Sequence, residues 1–272
     1  MHTLPLLPVL SLLATTTHAL KLPIPTQPPI SNTTTLPTHY ALLLFPHFQA
    51  LDVFGPLDIL NTLSMLYANS TTMKLSVLAR TMEPVSTAMQ GKGGLGFGQS
   101  VLPTGRMDGY LQRTGGKGDD GEGDIEVLIV PGGGGTRGDV EEEIEFVGRV
   151  YPGLHSIISI CTGATLLSRS SILNSHRATT NKRAWSWATS PSTNPSPPVD
   201  NITWVPTARW VEDGNIWTSS GISAGIDVMY AWVASVYGEE VAEYVALVSE
   251  YERERDAGND GFGVVWGVPG AE

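Results

Sequence analysis

The chain has 272 residues, a hydrophobic share of 41% and a formal net charge of −11. That length suits one α/β domain with a leader better than two full domains, and the apolar share allows a sizeable core. An acidic chain without clustered Lys or Arg argues against nucleic acid as a partner, and no apolar run is long enough to span a bilayer.

Leu4 to Ala14 is an apolar run interrupted by Pro5 and Pro8, and Thr17-His18-Ala19 places small residues where a signal peptidase reads them. Residues 1–19 therefore read as a signal peptide cut after Ala19, and the chain as secreted, although Met1-His2-Thr3 carries no basic residue. Sequons at Asn32, Asn69 and Asn201 predict glycosylation. Residues 20–39, rich in Pro and Thr, read as a disordered linker.

The ordered domain is expected over 40–256. Tyr40 to Phe45 is a continuous apolar run, as suits a parallel strand covered on both faces. Pro56 fits the first turn of the next helix, whose apolar face would be Leu57, Leu60, Leu63, Met65 and Leu66. Met73 to Ala79 reads as the second strand and Leu95 to Leu102 as a hairpin strand. Residues 105–123 lack hydrophobic pattern and read as a flexible insertion. Ile125 to Val130 is a buried strand running into Pro131 and four glycines, Gly132 to Gly135. Val140 to Tyr151 shows helical spacing, and Leu154 to Ile160 is a strand ending at Cys161. Arg177 to Thr180 is a short strand. Asp213-Gly214 between Ala208–Glu212 and Ile216–Ser219 is a hairpin signal. Helices follow at about 224–236 and 239–255, and residues 257–272 read as a loose tail. Strands alternating with helices predict an α/β fold, a mostly parallel sheet with helices on both faces.

One cysteine cannot make an internal disulfide, so Cys161 is paired between chains, buried and inert, or kept for chemistry. A strand ending at a lone Cys, followed by Thr162, Gly163 and Ala164, has the layout of a nucleophile elbow. A helix N-terminus there would stabilise the thiolate and make Cys161 reactive at mildly acidic pH. A buried apolar cysteine is the bland alternative. Gly163 would let a backbone or a substrate approach. The glycine run could offer N–H groups to a developing anion, or be only a turn. Asp52 could exchange protons with the thiol if its strand neighbours the Cys strand, or could simply cap a helix. Asp58, His155 and His176 read as surface residues, and the C-terminal tryptophans as packing.

Taken together, YALLLFPHFQALDVFGPLDIL, VLIVPGGGG, SICTGATLLSRSSILNSHRATT and WTSSGISAGIDVMYAWVA resemble the ThiJ/PfpI superfamily over about Tyr40 to Tyr251. LDVFGP and CTGA are similar to its isonitrile-hydratase branch. The resemblance implies a flavodoxin-like, class I glutamine-amidotransferase-like fold, a homodimer and a small-molecule substrate, with neither metal nor organic cofactor. It implies Cys161 as nucleophile, Asp52 as its carboxylate partner, and Thr162 offering hydroxyl and backbone N–H. Gly133 would supply the other N–H, and Gly132, Gly163 and Ser223 would line the pocket. The expected reaction is addition of water to an isocyanide, giving an N-substituted formamide. The alternatives are a redox-sensing or ligand-binding protein without turnover, and a glyoxalase-like enzyme acting on aldehydes. Asn181 stands where several relatives carry a His, so a Cys–His pair is not expected, and a protease reading is weakened.

Overall fold

The computed structural model describes residues 24–31, 35–89, 96–112, 123–190 and 201–272. In chain order its elements are β1 (His39–Leu43), α1 (Ala50–Leu66), β2 (Lys74–Ala79), β3 (Val85–Ser86), β4 (Ser100–Val101), β5 (Gly105–Arg106) and α2 (Met107–Leu111). Then come β6 (Val127–Val130), α3 (Glu141–Val150), β7 (Ser156–Ser159), α4 (Ala164–Arg169), β8 (Arg177–Ala178) and α5 (Trp185–Ala188). The last are β9 (Thr203–Trp204), β10 (Trp210–Asp213), β11 (Ile216–Ser219), α6 (Ala224–Tyr237), α7 (Glu239–Val248) and α8 (Phe262–Val265).

Seven strands form the main sheet in the order β10-β11-β7-β6-β1-β2-β5. All its pairings are parallel except the hairpin β10–β11. The predicted α/β class with a mostly parallel sheet is therefore the observed one. Every residue of β1, β6 and β7 is buried, which is why the β1 and β6 regions read as near-continuous apolar runs instead of alternation. Two groups of helices flank the sheet: α1 packs with α6 and α7, and α2 and α4 pack with α3. Gly214, at φ +64°, turns the β10–β11 hairpin.

Several expectations are corrected. Helix α1 begins at Ala50, so Pro56 lies inside it rather than in its first turn. Helix α7 stops at Val248, because the chain turns at Glu250 (φ +50°) and Tyr251 and Glu254 then bond to the buried Asp227. Part of the proposed flexible insertion is folded. β5 pairs with β2, Met107 of α2 is buried, and the Tyr110 hydroxyl accepts from the Ile125 N–H; 113–122 lies outside the described residues. The linker is corrected in part as well, since Pro28 accepts from the Tyr67 hydroxyl and Ile30 packs on the core.

The loose tail is the largest difference. Val268 and Ala271 pack against Trp185, and Asp260 is buried 3.7 Å from the equally buried ammonium of Lys182. Burial lowers the Lys182 ammonium to about 8, with Asp260 opposing the shift. A pattern too short to declare a core of its own is folded by docking on a surface built elsewhere in the chain.

The expected signal peptide, 1–19, and Asn32 lie outside the described residues. The first helix of the described chain is α1, no apolar signal-like helix precedes it there, and Asn69 and Asn201 are exposed residues with nothing further to mark them. The reading of the chain as a secreted, signal-bearing glycoprotein is withdrawn. Among the described residues no helix is long and apolar enough to cross a membrane.

Candidate active site

The carboxyl ends of β1, β6 and β7, three adjacent strands at the centre of the sheet, carry the candidate site. Ligands bind at this edge in open α/β sheets. Cys161 follows β7 at φ +59°, the left-handed region that a non-glycine residue avoids. A one-turn helix, Cys161–Gly163, then leads into α4. The strained turn is the predicted nucleophile elbow. The surrounding chain holds it: the Cys161 N–H donates to Ser220 O at 3.2 Å, and Thr180 Oγ1 donates to Cys161 O at 2.9 Å.

The close approach at Gly163 is made by backbone rather than by substrate. A Cβ there would lie 2.3 Å from Val130 O and 2.9 Å from Pro131 O. Gly163→Ala is expected to destabilise the fold by about 1–3 kcal/mol, as overpacking does, read as a lower urea midpoint at unchanged slope.

Asp52 is fully buried in the first turn of α1, whose N-cap is Gln49, so it is not the cap. Its strand does not neighbour the Cys strand, because β6 lies between them. The gap is closed by Gly132, where a Cβ would stand 2.9 Å from Cys161 Cβ. With no side chain there, the carboxyl reaches past the turn. Asp52 Oδ2 accepts from the Gly132 N–H at 3.0 Å and the carboxyl lies close enough to the Cys161 thiol to be stabilised by it, while Oδ1 has no partner among the described residues. Burial raises this carboxyl from 3.8 to about 7, against the opposing effects of the Gly132 N–H and the thiol.

Cys161 departs from expectation. It is 5% exposed, and burial, with the Asp52 carboxylate adding to it, pushes the thiol up to about 12. The Ile222 and Thr162 N–H groups and the Asn181 side chain oppose the shift without cancelling it. The predicted acidic thiolate is thus reversed in the resting protein: a short helix end cannot outweigh lost hydration and a carboxylate in contact.

The expected anion-holding N–H groups are also reassigned. The Gly133 N–H donates to Thr162 Oγ1 at 3.0 Å, and that hydroxyl also accepts from Thr136 Oγ1 at 3.1 Å. With Gly132 bound to Asp52, both glycine N–H groups are occupied. The Thr162 hydroxyl is taken up in bracing the glycine turn. The donors aimed at sulfur are Ile222 N, Thr162 N and Asn181 Nδ2, the last at 3.1 Å. Ser223 is exposed, one residue beyond Ile222, and forms no capping bond.

Asn181 is the residue that sequence reasoning passed over as a participant. Its Oδ1 accepts from the Ala184 N–H at 2.8 Å, which fixes its amide and aims Nδ2 at sulfur. A Cβ at Gly221 would stand 2.4 Å from that Nδ2. Asn181→Ala is expected to slow alkylation of Cys161 at alkaline pH by about tenfold, the worth of one hydrogen bond to a charged group. His155 hydrogen-bonds Ser156 at the opposite end of β7, and His176 lies 3.4 Å from Asp213, so neither serves the thiol. A cavity of about 610 Å³, lined by Leu44, His47, Arg80 and Ser86 among others, includes none of Cys161, Asp52 and Asn181.

The fold and this edge define a class: α/β proteins with a cysteine at a nucleophile elbow and a buried carboxylic acid beside it. The sequence profile of the DJ-1/PfpI family matches residues 39–235, and the chain belongs to that family. It is 28% identical over 211 residues to isonitrile hydratase of Pseudomonas putida, covering 77% of this chain and 76% of that one. A ThiJ/PfpI family protein from Pseudomonas syringae superposes with a TM-score of 0.59 at 23% identity, covering 85% of this chain and 83% of that one. An AraC family transcriptional regulator from Pseudomonas putida superposes at 0.57 and 18% identity, over 78% and 100%. The fold alone therefore does not choose between enzyme and non-enzyme.

Proposed function

We propose that the protein is a cysteine-dependent hydratase that adds water to a small isocyanide, giving an N-substituted formamide. The observation that carries this reading is the buried Asp52–Cys161 pair, whose carboxyl titrates at about 7 in contact with the thiol. The similarity to isonitrile hydratase supports it. The pair can hold one proton between its members over the neutral range, as both steps of the reaction require.

The terminal carbon of an isocyanide accepts a proton and a nucleophile at the same atom. As the Cys161 sulfur bonds to that carbon, Asp52 takes the thiol proton and delivers it to the carbon. The product is a thioimidate, and no net charge is created in the buried site. Ile222 N, Thr162 N and Asn181 Nδ2 support the sulfur while it carries negative charge. Water then adds to the thioimidate carbon, its proton passing through Asp52 to nitrogen. The C–S bond breaks, the formamide leaves, and the thiol recovers its proton. The acid limb of kcat/KM should lie near the Asp52 value of about 7, because the fully protonated pair has no base. The test is isocyanide consumption with matched formamide release. A protein that binds isocyanides yet releases no formamide would leave the reading without support.

A further inference from the structure

The Cys161–Thr162 turn is gripped from two sides. Thr136, in the turn after the glycines, bonds to Thr162 Oγ1 at 3.1 Å, and Asn181, in the loop before α5, bonds to Cys161 Sγ at 3.1 Å. The two segments meet again through Arg137, next to Thr136, and Trp187 of α5, six residues beyond Asn181. The guanidinium carbon of Arg137 lies 3.8 Å from the Trp187 ring centroid. Arg137 is exposed and Trp187 half-buried, so the stack spans the two segments that flank the cysteine.

The charge around this stack is unusual for the molecule. Arg80, Arg169, Arg209 and Arg253 each pair with carboxylates. Arg137 forms no ion pair with a carboxylate among the described residues, and neither does Arg183, two residues from Asn181, which lies over Trp266. In a chain of net charge −11, an unneutralised guanidinium is a local attractor for anions. Stacking on an indole fixes the guanidinium plane and leaves its N–H edge free for a planar anion, the geometry that suits a carboxylate.

We propose that Arg137, held flat by Trp187, is a specificity-determining residue that selects carboxylate-bearing substrates for the Cys161 site. This rests on the hydratase reading only for the substrate class it names, a small isocyanide carrying a carboxylate. The charge selection itself does not depend on that reading.

Iodoacetate and iodoacetamide separate the two ideas. They share a leaving group and a similar size and differ in charge, and the chain has a single cysteine to label. The measured quantity is the ratio of their alkylation rates at alkaline pH and low salt. Arg137→Gln is expected to lower the iodoacetate-to-iodoacetamide ratio by about threefold, the scale of one exposed charge-assisted contact, while the iodoacetamide rate stays constant. Arg137→Lys should keep most of the ratio, and Trp187→Leu should lose part of it with the arginine still present. In a second arm, kcat/KM for a carboxylate-bearing isocyanide is compared with its methyl ester, and Arg137→Gln should erase the preference chiefly through KM. A shifted alkylation ratio without turnover of either isocyanide would sustain the inference and refute the hydratase reading. An unchanged ratio in Arg137→Gln would overturn the inference, whatever happens to isocyanide.

Discussion

Cys161→Ala is expected to fold normally and to lose isocyanide turnover by a factor on the order of 10⁴ or more, because the chain has no second thiol to form the thioimidate. The comparison needs only two matched preparations and an assay for the formamide. Wild-type protein with no turnover above the alanine variant would remove the enzymatic reading and leave a binding or sensing role. A third variant tests the elbow itself. At φ +59° alanine pays the same left-handed penalty as cysteine, whereas glycine does not. Cys161→Gly should therefore be more stable than Cys161→Ala by about 1 kcal/mol and equally inactive. Equal melting of the two would argue against strain at this position.

Asp52→Asn is expected to cost about 10²–10⁴-fold in kcat/KM and to abolish the acid limb near pH 7, since asparagine can accept the Gly132 N–H but cannot move a proton. Stability should move the other way. The folded-state carboxyl lies at about 7, above its ordinary 3.8, so folding favours its protonated form. That contribution is complete below pH 3.8 and is lost as pH rises through 7. Above pH 7 the wild type carries a buried carboxylate that the variant lacks. The variant should then be the more stable by up to about 4 kcal/mol, the linkage equivalent of the shift, with the difference vanishing near pH 4. Thermal midpoints at pH 4 and pH 8 measure it. With the neighbouring charge removed, Cys161 should also alkylate faster at alkaline pH. A variant that is slow at turnover yet quick to alkylate separates the proton-transfer role from the supporting one. Normal turnover in Asp52→Asn would sink the proposed chemistry.

Much of the frame was written locally. The apolar runs of β1 and β6, the Asp213-Gly214 hairpin and the strand-Cys-Thr-Gly order each follow from short-range rules of burial, turn geometry and steric freedom. They sufficed to place Cys161 at a sheet edge and to single out Asp52. What failed did so for non-local reasons. The stretch 257–272 has no periodicity to announce it, yet Val268 and Ala271 complete a cluster around Trp185, and Asp260 meets Lys182. The expected acidity of Cys161 considered one helix end and omitted the burial and the carboxylate that other elements impose. Gly133 looked free to hold an anion because nothing in its neighbourhood showed that Thr162 would occupy its N–H.

The sequence by itself determined the fold class and the family and singled out Cys161 and Asp52 as candidates, because those rest on patterns a few residues long and on their order along the chain. Only the tertiary structure decided the protonation of that pair, the part played by Asn181 and the Arg137–Trp187 bridge. Strand order put β6 between the strands of Asp52 and Cys161, and a side chain missing at Gly132 let them meet. A pKa is set by all groups within a few ångströms and by the water they exclude, and those neighbours come from segments up to 170 positions apart, Asp52 to Ile222. No local pattern encodes that distance.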